Sequence, residues 1–122
     1  MSNHHKIDYV EFPAKDMYKT KIFFAKAFAW KFEDYGPEYC AFSSSGLNGG
    51  FFKSDRTSST EQGSVLVVLY SENLESTLEI VEQCGGTIVK SIFEFPGGRR
   101  FHFADPNGNE FAVWSDIGIE VA

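Results

Sequence analysis

One imidazole and two carboxylates are the side chains best able to do chemistry in this 122-residue chain. An unperturbed imidazole titrates at about pH 6.5, within reach of acid–base work at neutral pH, and His102 is the candidate for that role. Glu11 and Glu110 fall in stretches that read as strands. Strand alternation puts Glu11 on the same side as Tyr9, and Glu110 on the same side as Ala112. A Glu11–His102–Glu110 cluster would offer donors that a divalent cation accepts. The alternative leaves Glu110 at a solvated rim and pairs Glu11 with Arg100 or a lysine. His4 and His5 precede the first strand and are expected to be mobile.

Other chemistries lack their signatures. The chain has no Cys-x-x-Cys, no Gly-x-Ser-x-Gly and no phosphate-cradling glycine loop. The Gly46-Leu47-Asn48-Gly49-Gly50 run reads as a turn entering a strand. Cys40 and Cys84 read as small core hydrophobes.

The elements that must position these residues follow from periodicity. Residues 7–12 alternate as a strand that Pro13 ends. Asp16 caps a helix in which Ile22, Phe24, Ala25 and Phe28 recur at helical spacing. Residues 30–33, 39–43 and 47–52 complete a first module, at about 6–53. Residues 54–62 are polar and aperiodic, and read as a linker. Residues 64–70 form a continuous apolar run, fitting a strand buried on both faces. Asn73 caps a second helix with Leu74, Leu78 and Val81 on one stripe, closed by Gly85-Gly86. Strands at 87–93, 99–104 and 109–114 follow, the last two joined by a type I turn at Asp105-Pro106-Asn107-Gly108. The second module spans about 63–116. The expected fold is therefore α+β: two β-α-β-β-β modules in one domain, their curved mixed sheets shaped around a cavity.

Bulk properties exclude several partners. The formal net charge is −6 and the basic residues are scattered, which disfavours nucleic acid and anionic lipid. No apolar run reaches membrane-spanning length. The first residues, Met1 to Lys6, lack an apolar signal-peptide segment, so a cytoplasmic location is expected.

Three segments carry a family resemblance: Asp16 with Ile22-Phe23-Phe24 and Phe28-Ala29-Trp30; Asn73-Leu74 with Cys84-Gly85-Gly86; and Asp105-Pro106-Asn107-Gly108-Asn109 with Phe111 and Trp114. In this order they resemble the vicinal oxygen chelate superfamily over residues 6–116. That superfamily includes glyoxalase I, bleomycin-resistance proteins, fosfomycin-modifying enzymes and extradiol dioxygenases. The chain is most similar to the short branch related to lactoylglutathione lyase. Ala29 stands where that branch has Gly; a positive φ there would cost on the order of 1 kcal/mol.

The resemblance implies a divalent metal on the concave face, held by His, Glu or Gln. The ligand positions carry over to Tyr9, Leu66, Ala112 and either Asn48 or Gly50, none of which supplies the usual donor. No cofactor is therefore expected, and a metal is disfavoured, the Glu11–His102–Glu110 set being the remaining alternative. The concave face is expected to carry Tyr9, Glu11, Leu66, Val68, Tyr70, His102, Glu110, Ala112 and Trp114, an apolar pocket with a few polar groups. The expected function is binding of a small, partly aromatic or amphipathic organic molecule by a homodimer. Two alternatives stand beside it: a lyase, isomerase or dioxygenase-type enzyme using an atypical metal or His102 as acid–base, and a non-catalytic dimeric interaction module.

Overall fold

The computed structural model describes residues 3–118. The chain divides into two compact units, residues 1–57 and 58–122, so the boundary falls inside the stretch read as a linker. Among the described residues, no helix is long and apolar enough to cross a membrane.

The first unit runs β1 (Tyr9–Ala14), α1 (Met17–Phe28), β2 (Lys31–Asp34), β3 (Tyr39–Ser43) and β4 (Asn48–Lys53). Its strands form a four-stranded sheet in the order β1-β4-β3-β2, with β1 and β4 parallel and the other pairs antiparallel. Alternation holds: Tyr9 and Glu11 are exposed while Phe12 and Ala14 are buried. Pro13 does not end β1 as the sequence suggested; it lies inside the strand. β1 is an edge strand, where a residue without an N–H leaves no ladder bond broken. The Asp16 carboxylate accepts from the Lys19 N–H at 2.9 Å and caps α1. Phe24 stacks on Trp30 and contacts Phe51, so α1 covers one face of the sheet with aromatic rings.

The second unit runs β5 (Val67–Tyr70), α2 (Leu74–Gln83), β6 (Thr87–Phe95), β7 (Gly98–Ala104) and β8 (Glu110–Ser115), in the order β5-β8-β7-β6, with β5 and β8 parallel. Leu74 and Val81 of α2 are buried, as are Phe101, Phe103, Phe111 and Val113 of the sheet face it covers. β5 corrects a second expectation. It is a four-residue edge strand with alternating exposure, not a strand buried on both faces, and Val65 before it is 81% exposed. An apolar run alone does not distinguish a central strand from an edge one.

The two helices end differently. Gly85 sits at φ 102°, its N–H reaching the Glu82 carbonyl and the Gly86 N–H the Val81 carbonyl, a Schellman closure. Ala29 takes the corresponding left-handed conformation at φ 60° without the glycine that tolerates it. Cys40 is buried, whereas Cys84 is only half-buried at the end of α2.

Candidate functional site

Each sheet has one face that its own helix does not cover. On the second sheet, register fixes what lies there. Ala112 stands opposite both Val68 and His102, and Trp114 opposite both Tyr70 and Arg100. Glu110 stands opposite Ala104, so it shares this face with Ala112 and Trp114. Leu66, half-buried, lies just before β5 and two residues from Val68. Seven of the nine expected pocket residues thus belong to the second unit: Leu66, Val68, Tyr70, His102, Glu110, Ala112 and Trp114.

The turn between β7 and β8 sets this register. Its Asp105 carbonyl accepts the Gly108 N–H at 2.9 Å, and Gly108 takes φ 94°. The Asp105 carboxylate accepts the Asn107 and Asn109 backbone N–H groups, each at 2.9 Å. Burial pushes the Asp105 carboxyl up to about 6, against those hydrogen bonds, which pull it down.

The turn makes His102 and Glu110 diagonal neighbours across the hairpin, within reach of long side chains. His102 Nδ1 lies 2.7 Å from Glu110 Oε2, and the side chains are 2% and 6% exposed. Glu110 is therefore not at a solvated rim. Its other oxygen, Oε1, accepts from the Thr60 N–H at 2.9 Å and the Thr60 hydroxyl at 2.8 Å. Burial alone would raise the Glu110 carboxyl pKa. The hydrogen bonds from His102 and Thr60 outweigh it and leave the group below its ordinary value. An ionised carboxylate only accepts, so His102 Nδ1 carries the hydrogen. His102 Nε2 is buried and has no hydrogen-bond partner. It can accept in the neutral ring or donate in the protonated one.

Residues 54–62 were expected to be linker alone, and the structure corrects this. The Ser58 N–H binds the Asn109 side-chain oxygen at 2.9 Å, and the Ser58 carbonyl accepts the Glu110 N–H at 2.7 Å. A single 3₁₀ turn at Thr60–Gln62 follows. Sequence reading missed Ser58 and Thr60, since a Ser/Thr-rich aperiodic stretch carries no signal of which hydroxyl faces a buried carboxylate.

The remaining two expected residues, Tyr9 and Glu11, lie on the helix-free face of the first sheet. Tyr39, which the sequence reading placed in a strand but not in a site, joins them. Its hydroxyl donates to Glu11 Oε2 at 2.8 Å and lies 2.7 Å from the Tyr9 hydroxyl. Burial, then the Tyr9 and Glu11 contacts, raise the Tyr39 phenol far above its ordinary value. Glu11 thus pairs with a phenol rather than with Arg100 or a lysine. A β-carbon on Gly50 would overlap the Tyr39 ring, so the glycine makes the space that the ring fills. Gly49 and Gly50 accordingly lie inside β4; only Gly46, at φ 86°, serves the turn before it. A pocket of about 440 Å³ opens on this unit, lined by Tyr9, Lys31, Glu33, Ala41, Ser43 and Asn48 among others.

The four positions where the family's metal ligands would stand hold Tyr9 and either Asn48 or Gly50 on the first sheet, Leu66 just before β5, and Ala112 on β8. Tyrosine is an unfavourable donor for such cations, and leucine and alanine have no donor atom. Among the described residues, no group of three or more His, Cys, Asp or Glu side chains converges as a metal site. The residues present do not fit the metal that the fold family implies.

The chain is similar in structure to a glyoxalase-related enzyme from Fulvimarina pelagi (TM-score 0.76, 14% identity, covering 97% of this chain and 93% of that one). It is also similar to a glyoxalase/bleomycin resistance protein/dioxygenase family enzyme from Burkholderia phytofirmans PsJN (TM-score 0.74, 14% identity, 91% and 100% covered). A glyoxalase/bleomycin resistance protein/dioxygenase from Nocardioides aligns at TM-score 0.71 and 11% identity, with 100% and 91% covered. At these identities the likeness establishes the fold alone. No curated protein matches by sequence. The model of the Glyoxalase/Bleomycin resistance protein/Dioxygenase superfamily matches residues 6–113, nearly the whole chain, and the protein belongs to that superfamily.

Proposed function

We propose that the chain binds a small, partly aromatic organic molecule on the helix-free face of its second sheet, without the superfamily's metal. One observation carries the reading: the buried, unpartnered Nε2 of His102, on a face that also carries Val68, Tyr70, Ala112 and Trp114. A buried polar atom without a partner is costly, and a ligand hydrogen bond relieves that cost. The surrounding apolar and aromatic surface suits the rest of such a molecule. The test is calorimetric titration with small aromatics, using wild type and Trp114→Ala. Saturable binding weakened in the variant supports the reading. Stoichiometric metal in natively purified protein, required for that binding, would refute it.

A second reading has a specific observation behind it. Glu110 orients His102 through Nδ1, as the carboxylate does in an acid–base dyad. In that reading Nε2 takes a proton from substrate, and His102→Ala lowers turnover by roughly 10² or more with the fold intact. As to assembly, we take the chain to be a homodimer. The apolar edge strand β5, with Val68 43% and Tyr70 50% exposed, supports this. Sedimentation velocity tests it.

A further inference from the structure

His102 is not alone in lacking a partner. Arg100 lies two residues before it on β7, on the same face, opposite Phe93 and Trp114. Its guanidinium carbon sits 5.3 Å from the centre of the Phe93 ring and 5.5 Å from that of Phe95. Its Nε is buried without a hydrogen-bond partner. The neighbouring Arg99 shares a buried, unpartnered Nε but has its charge matched: both terminal nitrogens donate to Glu75, at 2.6 and 3.1 Å. The chain carries an excess of acidic groups, 17 against 11 basic ones. Even so, among the described residues no carboxylate is bonded to Arg100. A half-buried arginine whose guanidinium lies over aromatic rings and binds no carboxylate keeps donors for a planar anion, and carboxylate matches that fork.

The two groups complement each other. Residues i and i+2 of a strand lie about 7 Å apart on one face. A benzene ring holds its para substituents at a comparable span. Trp114, Phe93 and Phe95 supply the aromatic contacts; Phe93 also lies 5.8 Å, centre to centre, from the His102 ring. We propose that the ligand is an aromatic hydroxy acid, its carboxylate on Arg100 and its hydroxyl donating to His102 Nε2. This rests on the reading of the second sheet's helix-free face as the ligand site, and narrows it to a substrate class.

The test is calorimetric titration of the intact protein with the three hydroxybenzoate isomers, benzoate, phenol and 4-hydroxybenzamide. One or more hydroxybenzoates should bind at least roughly tenfold more tightly than phenol, benzoate and the amide, each of which lacks one of the two contacts. Arg100→Met, which keeps the apolar stem, should abolish the preference for hydroxybenzoate over the amide. Arg100→Lys should restore part of it. The wild-type ranking decides the matter even if a variant fails to fold. Equal affinity for phenol, amide and acid overturns this inference and leaves the ligand-site reading standing. A folded wild type that binds none of the six overturns both.

Discussion

The two sheets share one topology and treat the face away from their helix in opposite ways. On the first, the polar groups satisfy each other: Tyr9, Tyr39 and Glu11 close a hydrogen-bonded set on an exposed surface. On the second, the polar pair His102–Glu110 is buried and clamped by Thr60, yet one ring nitrogen stays unpartnered. A saturated surface set adds little to binding, because a ligand must first break it. A buried pair with one atom unpaired carries a desolvation cost that a ligand hydrogen bond would relieve. Two copies of one topology thus differ through desolvation rather than residue type: both helix-free faces carry a glutamate, exposed on the edge strand β1 and buried on the central strand β8.

Breaking each glutamate's contacts should separate the two faces most strongly. Glu110→Ala removes one partner of a buried pair and should cost about 3 kcal/mol in urea unfolding. Glu11→Ala, at an exposed site, should cost less than about 1 kcal/mol. Equal losses would contradict the contrast. Gly50→Ala comes next: the new β-carbon displaces the Tyr39 ring, at a cost of about 1–3 kcal/mol, and separates Tyr39 from Glu11.

Acid should sharpen the comparison. Glu110 is depressed in the folded protein, so its stabilisation is present above the unfolded carboxyl pKa and is lost as pH falls through the folded value. Asp105 works in the opposite sense. Raised to about 6, it contributes stability below its unfolded pKa that is lost as pH rises through about 6. Replacing Asp105 by Asn should therefore flatten the decline in stability up to about pH 6, and Thr60→Ala should steepen none of it but move Glu110's titration upward. Guanidinium unfolding across pH reads both.

The smallest effects lie at the helix ends. Gly85→Ala should destabilise by about 1 kcal/mol, since a β-carbon there meets nothing but still sits at positive φ. Ala29→Gly should do the reverse, by about 0.5–1 kcal/mol in thermal unfolding.

Much of this architecture was legible because it rests on local chemistry. Asp16 and Asn73 as caps, Gly85 as a helix stop and the Asp105-Pro106-Asn107-Gly108 turn each act within a few residues. Strand parity placed Val68, Tyr70, Ala112 and Trp114 on one face, and the register confirms that grouping. What stayed hidden depends on contacts far apart in the chain. Thr60 meets Glu110 across fifty residues, and nothing in a polar stretch marks one threonine among its neighbours. Tyr39 could have been found from Gly50: a glycine inside a strand pattern signals that something large approaches it. Pro13 was misread because edge position is a property of the sheet, not of the residue.

The central claim is that His102 presents Nε2 to a ligand because Glu110 holds Nδ1. The most direct measurement is side-chain ¹⁵N spectroscopy of the imidazole at neutral pH, before and after adding phenol. The account predicts a hydrogen on Nδ1 in both states and a saturable shift of the Nε2 resonance on addition. A ring with its hydrogen on Nε2 alone, or an Nε2 resonance indifferent to the ligand while binding is evident elsewhere, would contradict it.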